Sequence, residues 1–187
     1  MKSPTLFVFA SPSGGGKTSI IKEIRRRHPE IEFSVSATTR EMRAGEQNGK
    51  DYFFLPQNEF EKLVSQGELV EHEFFFNTYY GTLKREVDRA LHAGHSMIFD
   101  VDVKGAKSIQ SKYPSESVLI FITPPSMEIL EQRLRSRNTE TEEKLQRRLQ
   151  RAAMELEAGK SFDYTVVNDD LFQAINEVDE IVKNYLS

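Results

Sequence analysis

Apolar positions along the 187 residues fall into two patterns. The first is the short unbroken run. Residues 5–10 (TLFVFA) end in Ser-Pro-Ser-Gly-Gly-Gly, and so short a run bounded by turn residues predicts a buried strand. Residues 97–101 (MIFDV), 118–122 (VLIFI, closed by Pro124-Pro125) and 164–167 predict three more. The second pattern has helical spacing. Residues 18–27 set Ile20, Ile21 and Ile24 on one face and stop at His28-Pro29, because proline disfavours helix in the residue before it. Helices are likewise predicted over 82–92, 127–137, 142–158 and 171–186. The last of these buries Ile175, Val178, Val182 and Tyr185. Thr139 and Glu142 have the spacing of a capping box. Short apolar strands alternating with helices predict an α/β fold, a parallel β-sheet core flanked by helices on both faces.

Between residues 33 and 82 the character changes. Aromatic and β-branched residues cluster at 33–39, 52–55 and 69–77, punctuated by Gly45, Gly49, Gly67 and Gly81. This predicts a small strand-rich insert with one helix near 58–65. At about 150 residues per domain, the length suits one domain carrying inserted segments.

Composition narrows the function classes. Apolar residues make up 38% and charged residues 29%, an ordinary globular balance. The net charge of −4 argues against a general nucleic-acid binder, which would show a basic face. The absence of cysteine excludes disulfides, thiolate metal sites and a cysteine nucleophile. The four histidines, His28, His72, His92 and His95, lack metal-ligand spacing and read as surface or helix-end residues. The apolar run at 6–10 is far short of the roughly 20 residues of a membrane span. With no cleavable signal visible, the expected compartment is cytoplasmic, with no membrane partner.

Residues 11–18 read SPSGGGKT between a predicted strand and a predicted helix, the context that a phosphate loop requires. Glycines let backbone N–H groups turn inward around phosphate oxygens, and the helix N-terminus adds a favourable dipole. Ser11, Pro12, Ser13, Gly14, Gly15, Gly16, Lys17, Thr18 and Ser19 are therefore the candidate ATP cradle. Lys17 would reach the outer phosphates and Thr18 would ligate Mg²⁺. Ser11 stands where the usual loop begins with glycine.

Residues 38–55 read TTREMRAGEQNGKDYFFL. With the phosphate loop, this segment resembles the guanylate kinase family. Thr38, Thr39, Arg40, Arg43, Glu46, Gly49, Tyr52 and Phe54 satisfy the family pattern. The resemblance continues in order through YYGT (79–82), FDVDVKGAKSI (99–109), TPPS (123–126), RLRSRNTETEE (133–143) and VVNDD (166–170). It implies a P-loop NTPase-type core with a GMP-binding insert and a helical lid. It implies transfer of the γ-phosphoryl group of ATP to GMP, and to dGMP, with Mg²⁺ as cofactor. The domain plan it implies is a core of 1–32, 83–125 and 152–187, an insert of about 33–82 and a lid of about 126–151. It leaves homo-oligomer formation open.

The resemblance also implies roles. Ser36, Arg40, Arg43, Tyr52 and Tyr80 would hold the GMP phosphate, with Arg40 also serving catalysis, and arginine suits this as a forked cation. Glu71 and Asp102 would read guanine, whose N1–H and N2–H₂ both donate to a carboxylate, and the Thr82 hydroxyl would serve O6. Asp100 would support the metal, and Asp102 has metal support as a second candidate role. Arg133, Arg137 and Arg148 would neutralise charge on the transferred group. Asn168 would lie near adenine. Arg135, Arg147 and Arg151 have no counterpart in the pattern and read as solvated. Glu41, Met42 and Asn138 depart from the family's usual residues without removing a needed charge.

Two other readings compete with this one. A non-catalytic guanylate-kinase-like binding module would commonly lack Lys17 or the arginines, and a 187-residue chain is short for companion interaction domains. A small-molecule kinase with another acceptor would not need Glu71, Tyr80 and Thr82 together.

Overall fold

The computed structural model describes residues 3–75, 77–136 and 141–186. In chain order the elements are β1 (Leu6–Ala10), α1 (Lys17–Arg27), β2 (Glu32–Phe33), β3 (Ala37–Thr38), β4 (Phe53–Phe54), α2 (Gln57–Ser65), β5 (Leu69–Phe75), β6 (Thr78–Leu83) and α3 (Lys84–His92). They continue with β7 (Met97–Asp100), α4 (Val103–Lys112), β8 (Ser117–Thr123), α5 (Met127–Arg135), α6 (Glu142–Gly159), β9 (Tyr164–Val167) and α7 (Leu171–Leu186).

The core sheet has five parallel strands in the order β2-β7-β1-β8-β9. Parallel strands need crossover connections, so helices cover both faces and the central strands are largely apolar. β1 shows the consequence: all five residues are fully buried and its side chains serve two cores. Phe7 and Phe9 pack with Ile20 and Ile24 of α1 and Val178 and Val182 of α7. Leu6, Val8 and Ala10 pack with Ala106 and Ile109 of α4 and Val87 of α3. β1 lies between β7 and β8, so the strand order reverses there. In open parallel sheets the crevice beyond the strand ends at such a reversal is where ligands bind.

A second sheet, β4-β3-β6-β5, lies within the predicted insert and closes on its own core of Ala37, Phe60, Leu69 and Leu83. The register between β5 and β6 shifts between Leu69 and Glu71. Val70, at the shift, packs with the main core instead. No helix among the described residues is long and apolar enough to cross a membrane.

The structure differs from the sequence expectation at several points. Phe33, expected to open the insert, pairs with Ile98 in the main sheet. Thr82, expected to start a helix, lies in β6, and the helix begins at Lys84. The helix α4 was not anticipated, because its apolar positions are few and small and Gly105 interrupts them. Helix α6 starts at Glu142 with Thr141 as N-cap, so Glu142 does not occupy the capping-box position and pairs with Arg135 and Gln146 instead. Thr139 and Asn138 lie outside the described residues.

His28 is a helix-end residue as expected, but it is buried. Its Nε2 lies 2.7 Å from Asp179 Oδ1 on α7. Arg27 donates to Asp179 Oδ2 at 3.2 Å, and Lys183 Nζ lies 2.8 Å from that same oxygen. Burial alone would push the Asp179 carboxyl up, but hydrogen bonds from Lys183, His28 and Arg27 outweigh it and hold it at about 2, from 3.8. A depressed carboxyl contributes stability above its unfolded pKa and loses it as pH falls through the folded one. Asp179→Asn should therefore destabilise the fold by about 2 kcal/mol at pH 7, and the loss should shrink as pH falls from 4 towards 2. Urea unfolding midpoints across that range check this; a loss independent of pH would contradict the ion network.

Candidate active site

The buried β1 ends in a loop that must deliver its N–H groups to one point. Gly14 and Gly16 turn with φ of 93° and 92°, a left-handed region that favours glycine, and Gly15 N–H donates to Pro12 at 2.9 Å. A Cβ on Gly16 would fall 2.0 Å from Nδ2 of Asn168, so only glycine fits there. Asn168 is buried and donates to the Gly15 carbonyl at 2.8 Å, while its own N–H donates to Thr123 at 2.7 Å. It thus props the loop from behind. The cap that its neighbourhood suggested is made by Asp170, which accepts from Gln173 N–H. Leu130 and Leu134 of α5 pack against Gly14 from another side.

Lys17 is the first residue of α1. Its ammonium donates to the Val101 carbonyl at 2.6 Å and pairs with Asp100 Oδ1 at 2.6 Å. Both partners stand at the carboxyl end of β7, beside the loop.

A cavity of about 820 Å³ opens over this loop, lined by Ser11, Pro12, Ser13, Gly14, Gly16, Lys17, Thr18 and Ser19. Its far wall is α6, which presents Lys144, Arg147, Arg148, Arg151 and Glu155. Spacings of three and four place these on one helix face. Arg148 donates to the Ser13 hydroxyl. Arg147 and Arg151, read from sequence as solvated, thus line the cavity; Arg135 does pair with exposed glutamates, Glu131 and Glu142. Arg133 donates to the Asn168 carbonyl at 2.9 Å, which places it behind the loop. Arg137 lies outside the described residues.

Glu73 and Asp102 complete the cavity wall and lead into the second half of the site. Asp102 caps α4, with Oδ1 accepting from Gly105 N–H at 2.7 Å. A Cβ on Gly105 would stand 3.3 Å from both Asp102 Oδ1 and Glu71 Oε2, so glycine at this position lets the two carboxylates approach the same point. Thr82, fully buried, donates its hydroxyl to Glu71 Oε1 at 2.7 Å. That single proton is spent on Glu71, so Thr82 orients the carboxylate rather than offering a donor to guanine O6. Desolvation, with smaller contributions from Asp102 and Glu73, raises the Glu71 carboxyl from 4.5 to about 7 against the pull of the Thr82 bond.

On the insert, Arg40 forks onto Glu46 at 3.0 and 2.7 Å and lies over the rings of Tyr52 and Phe54. Glu46 also accepts from Arg43 N–H at 2.7 Å. Glu46 thus shapes the loop that carries both arginines, a role its place in the motif signalled but the sequence reading left unassigned. The Tyr52 and Tyr80 rings meet edge to face at 6.1 Å. Ser36 lies half-buried one residue before β3, and its carbonyl accepts from Phe53 N–H.

Among the described residues, no group of three or more His, Asp or Glu side chains forms a ready metal cage. Magnesium keeps several waters and commonly takes one or two protein groups plus substrate phosphates. The Thr18 hydroxyl and the Asp100 carboxylate, close to the loop, fit that arrangement.

The guanylate kinase family model matches residues 3–185. Among curated proteins, the guanylate kinase of Chlorobaculum tepidum is 47% identical over 181 residues, covering 97% of this chain and 93% of that protein. The guanylate kinase of Chlorobium chlorochromatii is 45% identical over 184 residues, covering 98% and 97%. A crystal structure of guanylate kinase from Anaplasma phagocytophilum superposes with a TM-score of 0.76 at 32% identity, covering 98% of this chain and 87% of that one.

The raised Glu71 carboxyl carries a stability signature. The folded state retains a proton that the unfolded chain gives up above 4.5, so folding is penalised as pH rises from 4.5 through 7. Glu71→Gln should leave stability at pH 4 nearly unchanged and raise it by about 2–3 kcal/mol at pH 8. Urea titrations at the two pH values check this. An equal change at both would mean that Glu71 is not held in a desolvated site.

Proposed function

This chain belongs to the guanylate kinase family, and from that premise we propose how its residues divide the work. The protein is a nucleoside monophosphate kinase that transfers a phosphoryl group from ATP to GMP, giving GDP and ADP. Phosphoryl transfer asks little covalent chemistry of a protein; positioning and charge neutralisation suffice. The site's lack of an evident nucleophile agrees with this.

The ATP phosphates lie in the loop of residues 11–19, with Lys17 on the outer ones. Arg148 neutralises charge on the transferred group, and the family pattern assigns Arg137 the same role; Arg133, held on the Asn168 carbonyl, steadies the loop instead. Thr18 and Asp100 would hold Mg²⁺, which would supply charge neutralisation on the phosphates. Arg40, Arg43, Tyr52, Tyr80 and Ser36 receive the acceptor phosphate. Asn168 shapes the loop that holds the ATP phosphates and stands on the side where adenine is assigned. GMP and dGMP share the base that Glu71 and Asp102 address, so both serve as acceptors. Both substrates are cytoplasmic nucleotides, which supports action in that compartment.

The observation that carries the acceptor assignment is the convergence of Glu71 and Asp102 next to Gly105. An ionised carboxylate accepts both guanine donors, whereas the unprotonated N1 of adenine would be repelled. A site built on such bonds discriminates by about 10⁴-fold or more. The pairing favours base readout over metal support for Asp102. We keep the plan of core, insert and lid as our reading, with one refinement: Phe33 pairs in the core sheet.

A coupled ADP-release assay across GMP, dGMP, AMP, CMP and UMP tests the reading, with GMP and dGMP expected to be preferred. Lys17→Ala should lower kcat about 100-fold or more while GMP affinity changes little, since its ammonium acts on charge that develops in transfer. Near-normal turnover would sink the phosphate-loop assignment.

Glu71 must be ionised to accept from guanine, and its free-state value is about 7. KM for GMP should therefore rise as pH falls below 7, by up to about tenfold per unit. Glu71→Gln should raise KM about 10- to 150-fold at pH 8 and flatten this dependence. Parallel pH profiles in the two proteins would remove Glu71 from base recognition.

A further inference from the structure

Glu71 faces an electrostatic difficulty. It must be an acceptor for guanine, yet Asp102 from the start of α4 and Glu73 from its own strand both oppose its charge, and its hydrogen-bond partner is the neutral Thr82. One cation reaches both acidic neighbours. From α6, Arg151 Nη2 lies 3.3 Å from Asp102 Oδ2 and 3.4 Å from Glu73 Oε1, while its Nε donates to Glu155 at 2.8 Å. Glu155, one helical turn further on, aims the guanidinium across the cleft. The fork geometry of arginine lets one side chain serve three carboxylates.

We propose that Arg151 is a positioning residue for guanine recognition, bracing from α6 the two carboxylates, Asp102 and Glu73, that flank Glu71. This rests on the reading of Glu71 and Asp102 as the base-recognising pair. The brace has two effects. It fixes the Asp102 oxygen that does not cap α4, so the carboxylate keeps one orientation. It also offsets the negative field on Glu71, favouring the ionised form that guanine requires. Because Arg148, one turn earlier on α6, contacts Ser13 of the phosphate loop, the same helix face joins the donor and acceptor ends of the site. The sequence pattern left Arg151 as a solvated residue; only the fold places it against Asp102 and Glu73.

Steady-state kinetics of R151Q and R151K against pH test this. In R151Q, KM for GMP should rise about three- to fivefold at pH 7.5, in the range of a partly exposed ion network, with kcat within twofold. The pH at which KM turns upward should move higher by about half a unit. R151K keeps one charge contact and should recover at least half of the KM loss, and because it keeps charge and helix propensity it also controls for folding. In the E71Q background, R151Q should cost clearly less, only the part that acts through the orientation of Asp102, since the charge on Glu71 is gone. An unchanged KM and pH profile in R151Q would overturn the proposal. So would an equal KM penalty with and without Glu71. If E71Q alone leaves KM for GMP unchanged, the base-reading assignment itself fails and the brace falls with it, an outcome distinct from the failure of Arg151 alone.

Discussion

The site depends on one constraint, that a fully buried strand must end in a loop whose N–H groups remain available to a ligand. β1 has no solvent-exposed residue up to Ala10, and only six residues separate it from α1. The chain makes that transition through two left-handed glycines. Their shape is then enforced from outside: Asn168 from the end of β9, Leu130 and Leu134 from α5, and Asp100 and Val101 at the end of β7 all press on the loop or its lysine. Together with the loop they are scattered over more than 150 positions. They meet because every core strand is parallel, so every carboxyl end opens onto the same edge.

The second half of the site is governed by charge. Its acidic group, Glu71, Glu73 and Asp102, is gathered from the insert and the core, and the opposing cations come from one face of α6. The register shift in β5 matters here. It lets Val70 pack with the main core while Leu69 stays in the insert's core, so the strand that carries Glu71 belongs to both. A break in register of this kind re-aims side chains where a site needs them. Thr82 then holds the carboxylate, and Gly105, having no side chain, lets it come close to Asp102.

Much of this was legible in advance. The unbroken runs TLFVFA, MIFDV and VLIFI correspond to β1, β7 and β8, since a strand buried on both faces needs apolar residues at every position. The glycine-lysine-threonine stretch fell between strand and helix as expected. Short or weakly patterned elements were not legible. Two residues suffice for β2 because β7 supplies the partner, and α4 is held by Asp102 and by packing on β1 and β8 rather than by a strong apolar stripe.

The sequence by itself determined the alternation of buried strands and helices, the phosphate loop and the family pattern that points to GMP. Each of these rests on residues close together in the chain, where spacing alone sets the geometry. Tertiary structure decided the rest: that Asn168 and Arg133 work behind the loop, that Thr82 serves Glu71, that Glu46 holds Arg40, and that Arg151 faces Asp102 and Glu73. The partners of a hydroxyl or a guanidinium depend on which segments the fold brings within about 3 Å of it, and periodicity along the chain carries no record of that.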